Sequence, residues 1–239
     1  MKILLLGYGK MGQLIDQLAT QAGHEIVGKI HINNRHELEL LSNQEVEVAI
    51  DFSQPSAAID NIKWCIDHQI PVAVGTTGWL NHKEEVDQYC ESNQGTYLYA
   101  SNFSIGVNIF FALNKKLAQL MNGQGYDIST TEIHHSQKLD APSGTSITLA
   151  EDIIDHNDEK KIWINEKAAS EKELEILSER VDPTPGTHII NYDSVIDSIQ
   201  IKHTAHSREG FAMGAIAVAQ WLKDQKGVKE MSDFLGLSS

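Results

Sequence analysis

Apolar side chains recur along this 239-residue chain in two different arrangements, and the change from one to the other divides it near residue 105. Residues 2–6 form a short apolar run that ends in a glycine-rich turn. Leu14, Ile15, Leu18, Ala19 and Ala22 then follow at helical spacing. This predicts strand, turn and helix, with Gly23 closing the helix and Glu25–Ile30 forming the next strand. The alternation continues: a strand over 47–51, a helix over 55–68 started by Pro55, a strand over 70–74, a helix over 80–93 and a strand over 97–100. Strands alternating with helices predict an α/β unit with an open parallel sheet, whose ligands bind at the carboxyl ends of its strands.

After Ile105 the order is different. A long helix runs to about Met121, and Tyr126–His135, rich in β-branched residues, reads as a strand. Helices are expected near 145–155 and 170–180, and antiparallel strands near 187–192 and 196–203, giving a smaller α+β lobe. The stretch 155–180 is charged and reads as a solvated face or loop. Residues 210–225 form one more apolar helix, which could return to the first lobe.

Composition narrows the function. Hydrophobic residues make up 41%, enough for a sizeable core without disulfide or metal staples. A formal charge of −14 opposes attraction to phosphate backbones and anionic membranes, so neither nucleic acid nor a membrane is expected as a partner. No apolar run is long enough to span a bilayer. Cys65 and Cys90 lie inside predicted helices with neither metal-ligand nor disulfide-framework spacing, which fits a reducing cytoplasm.

Against that acidic background four clusters stand out. Gly7-Tyr8-Gly9-Lys10-Met11-Gly12 joins a strand directly to a helix inside a βαβ unit. The first glycine allows a tight turn, the second lets a pyrophosphate approach the backbone and the third lets helix and strand pack, so a dinucleotide is expected there. The acid that usually follows at the end of the second strand, to hold a ribose hydroxyl, is missing. Lys29, His31, Asn33, Asn34 and Arg35 stand in its place and could accommodate a 2′-phosphate, which tilts the choice towards NADPH; an ordinary solvated loop is the competing reading. Gly75-Thr76-Thr77-Gly78, at another strand end, suits contact with the nicotinamide half or, equally, a helix-capping turn.

The densest cluster is Glu132-Ile-His-His-Ser-Gln-Lys-Leu-Asp-Ala-Pro-Ser-Gly-Thr145. Alternation along the strand puts Glu132 and His134 on one face and His135 on the other. Ser143 or a neighbour caps the helix that follows, and the amides near Gly144 and Thr145 are free to hold a carboxylate. With Lys138 in the loop, these features describe an anion pocket; adjacent histidines on one strand cannot both point inward, so no metal is expected. Arg208, between the last strand and the last long helix, is a hinge or clamp candidate, or a surface arginine paired with an acid.

Together with Ser101-Asn-Phe-Ser-Ile-Gly106 and Ser207-Arg-Glu-Gly-Phe-Ala212, these motifs, in this order, resemble the dihydrodipicolinate reductase family from end to end. The resemblance implies a Rossmann domain over 1–104 and 209–239, its parallel sheet completed by the C-terminal helix, and a central α+β domain with a mixed sheet over 105–208 for substrate binding and tetramer formation. It implies reduction of a cyclic 4-hydroxy dicarboxylate by NADH or NADPH with loss of water, on the diaminopimelate route to lysine. Carried over residue by residue, it makes His134 the proton donor, Lys138 its catalytic partner, and His135, Gly144 and Thr145 the substrate contacts. Cofactor contacts fall on Gly7–Gly12, Gly75–Thr77 and Ser101, Asn102 and Phe103, while the segment after the second strand departs from the family's acidic pattern. A different Rossmann reductase of a small carboxylic acid, or a nucleotide-sensing module without catalysis, are the alternatives.

Overall fold

In the computed structural model, which describes residues 1–237, the chain forms two compact units: Met1–Ile105 with Glu209–Ser239, and Gly106–Arg208. The first begins with β1 (Lys2–Leu6), α1 (Lys10–Gln21) and β2 (Glu25–Ile30). Residues Ile3 to Leu6 are fully buried, as a central parallel strand covered on both faces requires. Helix α1 stops where Gly23 takes φ +81; the Gly23 and His24 amides donate to the Thr20 and Ala19 carbonyls, a Schellman closure that a side chain at Gly23 would strain.

The chain continues through β3 (Val48–Asp51), α2 (Pro55–Asp67), β4 (Val72–Val74), α3 (Lys83–Ser92) and β5 (Thr96–Tyr99). Pro55 opens α2 as expected, where its missing N–H costs nothing. The helix expected over 80–93 starts instead with a 3₁₀ turn at Leu80–His82.

The second unit holds α4 (Ile105–Met121), β6 (Asp127–His134), α5 (Gly144–His156), β7 (Ile162–Ile164), β8 (Glu173–Arg180), β9 (Gly186–Asp193) and β10 (Ser198–Ala205). Its sheet runs β10-β9-β6-β8-β7; β6 is antiparallel to β9 and parallel to β8, and β7 is parallel to β8. The antiparallel pairing read from the residues holds for β10, β9 and β6, and the parallel β8 and β7 make the sheet mixed, as the family resemblance implied.

The expected helix near 170–180 is strand β8, and the supposed solvated stretch 155–180 contains β7 as well. Glu171-Lys-Glu-Leu-Glu-Ile-Leu-Ser-Glu-Arg180 is rich in helix formers, but Leu174 and Ile176 alternate inwards and are fully buried. Burial beside β6 outweighs an intrinsic preference of a few tenths of a kcal/mol per residue, roughly.

The chain then returns to the first unit with α6 (Glu209–Leu222), β11 (Gly227–Lys229) and α7 (Met231–Phe234). Its sheet has the all-parallel order β11-β5-β4-β3-β1-β2, so the C-terminal segment contributes both a covering helix and a sixth strand, the latter not foreseen. Ala212, Ala215, Val218, Ala219 and Leu222 of α6 pack with Ile3, Leu5 and Ile50 on one face of this sheet. Among the described residues no helix is long and apolar enough to cross a membrane.

Candidate active site

In the first unit the three glycines of the N-terminal turn meet three different surroundings. Gly7 has φ +92, and a Cβ there would lie 2.2 Å from the Phe52 carbonyl oxygen. At Gly12 a Cβ would lie 2.2 Å from the carbonyl oxygen of Gly7, so the helix packs onto the turn only without a side chain. Around Gly9, in contrast, a Cβ would meet nothing within 4 Å. Gly9 is the N-cap of α1, whose first turn carries no acid, so its amides and the positive end of its dipole face open space. These features fit a dinucleotide pyrophosphate.

Beside this turn lies a cleft of about 370 Å³, lined among others by Tyr8, His31, Arg35, Ser53 and Asn61. The Arg35 guanidinium donates to Asn61 Oδ1, and Asn61 Nδ2 donates to Asp51 Oδ2 at 2.7 Å. Asp51 ends β3 fully buried; burial pushes its pKa up against hydrogen bonds from Thr76, Asn61 and Ser53. The remaining cationic candidate, Lys29, pairs with Asp16 at 2.6 Å, and Asn34 is used within its own loop on His31 N and the Lys29 carbonyl.

The other expected nucleotide contacts are placed as follows. Tyr8 and Met11 are half-buried, Lys10 exposed, and the Tyr8 hydroxyl donates to Asp16. Gly75 passes the Phe52 ring so closely that a Cβ would lie 2.2 Å from it. The Thr76 hydroxyl is turned inwards onto Asp51, which leaves only exposed Thr77 with its side chain towards solvent. Ser101 is exposed, Asn102 Oδ1 accepts from Ser104 N, and Phe103 is a core residue tilted against Phe52.

In the second unit β6 carries Glu132 and His134 inwards, at 0% and 7% exposure. Half-buried His135 begins the loop that follows, where the Ser136 hydroxyl donates to Asp182. Ser143 caps α5 by accepting the Ser146 amide at 3.2 Å, as expected, and Gly144 and Thr145 form the first turn. Their amides find no acceptor among the described residues, which leaves a helix N-terminus open to a carboxylate. Lys138 Nζ is held by Asp140 at 2.8 Å.

What joins these parts is Glu132, for which alternation along the strand predicted a face but no role. The Glu132 carboxylate accepts from Ser143 N (3.0 Å), Ser146 Oγ (2.8 Å) and Ser178 Oγ (2.8 Å), with Arg180 Nη1 at 3.5 Å. Arg180 also donates to the carbonyls of Lys138 (3.3 Å) and Asp140 (2.8 Å), tying the Lys138 loop to the sheet. Burial raises the Glu132 pKa, but the donors from Ser143, Ser146 and Ser178 outweigh it and bring it down to about 2. A permanent buried carboxylate therefore lies beneath the end of β6 and the start of α5. No spacing rule could have found Ser178 and Arg180, which reach it from β8, or His188, which meets Ser146 from β9.

Residues 1–103 match the N-terminal part of dihydrodipicolinate reductase and residues 106–235 its C-terminal part. The chain belongs to the dihydrodipicolinate reductase family. It is 48% identical over 236 residues to the 4-hydroxy-tetrahydrodipicolinate reductase of Christiangramia forsetii, covering 98% of each chain. With the enzyme of that name from Akkermansia muciniphila it shares 35% over 247 residues, covering 99% of this chain and 98% of the other. Its fold is similar to a dipicolinate-bound dihydrodipicolinate reductase from a Paenisporosarcina species (TM-score 0.75, 23% identity, 96% and 97% covered). An amine dehydrogenase from Mycobacterium smegmatis shares the fold more distantly (TM-score 0.61, 10% identity, 96% and 94% covered).

In this family member the second unit carries a built-in acid sensitivity. His188 lies edge-on to His134 with ring centroids 5.2 Å apart, and its Nδ1 meets Ser146 Oγ at 3.0 Å. Burial, with His134 adding to it, pulls its pKa down from 6.5 to about 4. Between those values the unfolded chain binds the proton and the folded one does not, so stability rises with pH there. The contribution is complete above pH 6.5 and lost as pH falls through about 4. Such a shift corresponds to about 3 kcal/mol. Urea unfolding from pH 7 to pH 4 should therefore show a falling midpoint, and His188→Asn should flatten that slope; an equal slope in the variant would assign the loss to other groups.

Proposed function

We propose that this chain is a 4-hydroxy-tetrahydrodipicolinate reductase acting in lysine biosynthesis, with the first unit binding the nicotinamide cofactor and the second binding and protonating the substrate. The single observation that carries this reading is the Glu132–Thr145 segment of a chain 48% identical to a protein of that name: a buried histidine, a lysine and an open helix N-terminus around one anchored carboxylate.

The substrate is a cyclic imine with two carboxylates and a hydroxyl β to the C=N carbon. One carboxylate would dock on the Gly144 and Thr145 amides, where the helix dipole favours negative charge, and Lys138 and His135 would offset the other. Loss of the hydroxyl as water conjugates the ring. Gly7–Gly12, Gly75–Thr77 and Ser101–Phe103 would hold the reduced nicotinamide cofactor, whose chemistry there would be hydride donation to the carbon that bore the hydroxyl. The resulting anionic enamine then needs one proton at its β carbon, between the hydride-accepting carbon and the carbon bonded to nitrogen, which His134 supplies, with Lys138 assisting.

We read the cofactor as NADPH in preference to NADH. Arg35 lies in the cleft beside Gly7 and Gly9, and the carboxyl end of β2 offers no acid for a ribose 2′-hydroxyl. Asn61 and Asp51 hold Arg35 from behind. Losing one charged contact to a phosphate costs about 2 kcal/mol, roughly thirtyfold in affinity. Arg35→Ala should therefore weaken NADPH by about that factor and leave NADH within twofold or so; equal losses would show that Arg35 does not read the phosphate.

We further read the chain as a cytoplasmic homotetramer whose second unit makes the contacts between copies. Supporting this are Val195 and Ile196, fully exposed apolar residues at the β9–β10 turn, and two free, buried cysteines. The test of the function is to supply the dihydrodipicolinate synthase product and follow cofactor absorbance. Oxidation that requires this substrate supports the reading; cofactor binding without turnover, or turnover only with another small acid, overturns it.

A further inference from the structure

His134 has one ring nitrogen with nowhere conventional to go. Its Nδ1 is buried without a hydrogen-bond partner and lies 3.6 Å from Glu132 Oε2. The opposite nitrogen, Nε2, faces the backbone of Gly186, where a Cβ would approach to 3.1 Å. Two tautomers of the neutral ring are available in principle. With the proton on Nε2, the Nδ1 lone pair would point at an ionised carboxylate, two acceptors face to face in a buried site. With the proton on Nδ1, an N–H points at that carboxylate and a small movement closes the hydrogen bond.

Glu132 cannot adapt by rotating away. Ser143 N and Ser146 Oγ hold one oxygen, and Ser178 Oγ and Arg180 Nη1 the other. Resting on the reading that His134 is the proton donor, we propose that Glu132 is its positioning residue. Glu132 keeps the proton on Nδ1 so that Nε2 is the nitrogen that gives up and regains the transferred proton. Because the same carboxylate accepts the N-cap amide of α5, the donor and the candidate carboxylate site are set by one group.

The step balances. The imidazolium loses the Nε2 proton to the enamine carbon, becomes neutral with Nδ1–H retained, and takes the next proton from solvent at Nε2. The groups facing the ring are Glu132 on β6, Arg180 on β8, His188 on β9, and Lys138 and Asp140 in the loop. Burial lowers the His134 pKa, Glu132 opposes that, and Lys138 and Arg180 add to it. Removing the Glu132 charge therefore leaves burial and two cations opposed by Asp140 alone among these groups.

The decisive experiment compares Glu132→Gln with Glu132→Asp and reads tautomers in the unaltered protein. Glu132→Gln should lower turnover roughly tenfold or more at neutral pH and move the basic limb of kcat/KM down by about one pH unit, with NADPH affinity unchanged. Glu132→Asp, which restores the charge, should return the limb close to its original position even at reduced rate. In the wild-type chain labelled with ¹⁵N-histidine, the signals lost in His134→Gln should show the neutral ring protonated on Nδ1. A neutral ring protonated on Nε2, or an unmoved limb in Glu132→Gln, overturns the proposal. The tautomer is read without substrate or variant stability at Glu132, so an inactive wild-type enzyme would refute the reductase reading separately.

Discussion

Replacing His134 with Gln should lower turnover by roughly a hundred- to ten-thousandfold, the range general acids contribute, while NADPH binding stays as it was. Binding should be spared because His134 belongs to the second compact unit, whereas the glycine turn and its cleft belong to the first. Glutamine keeps a polar end in a site of 7% exposure, so the effect is on proton transfer and not on folding. Lys138→Ala should act in the same direction, with an additional rise in KM, since its ammonium, half-buried beside Asp140, is the cation of the loop. Single-turnover measurements beside cofactor titrations separate the two effects. Turnover near that of the wild type in both variants would remove this pocket from the chemistry.

The second large effect is expected at the glycine turn, and it separates folding from binding. Gly12→Ala places a methyl 2.2 Å from the Gly7 carbonyl oxygen, a backbone atom that cannot move without opening the junction of β1 and α1. The cost is about 2 kcal/mol or more, a large share of the 5–15 kcal/mol or so that holds a typical domain together. Gly9→Ala meets nothing, and at φ −81 alanine adopts the backbone without strain. That variant should melt like the wild type yet bind NADPH at least tenfold or so more weakly, because its methyl occupies the face a pyrophosphate approaches. Thermal melts with cofactor titrations decide it; a stable Gly12→Ala, or an unaltered affinity in Gly9→Ala, would contradict this account of the turn.

The parts of the molecule that were legible in sequence are those fixed by neighbours along the chain. The run Lys2–Leu6, the glycine turn and the helix closed by Gly23 follow from local pattern and backbone freedom. So do Ser143 as a cap and the inward pairing of Glu132 with His134. What was not legible depends on partners distant in sequence. Residues 173–180 carry a helix-forming composition and become β8 because β6 and β7 pair with them. The Thr76 hydroxyl, expected near the cofactor, is used by Asp51, 25 residues earlier. Arg35 was visible as a cation, but Asn61 and Asp51 behind it were not. Glu132 stood inside the most conspicuous motif; its part became visible only with Ser178 and Arg180 in place, 46 and 48 residues away.

The most direct test of the account is the mass of the product formed by the wild-type chain from 4-hydroxy-tetrahydrodipicolinate and NADPH deuterated at its transferable position. The product should have lost the hydroxyl oxygen as water and should carry one deuterium, on the carbon that bore the hydroxyl. One solvent-derived hydrogen should sit on the neighbouring carbon, and both should form at a rate that collapses in His134→Gln. A product that keeps the oxygen, or that carries no deuterium while NADPH is consumed, would contradict it.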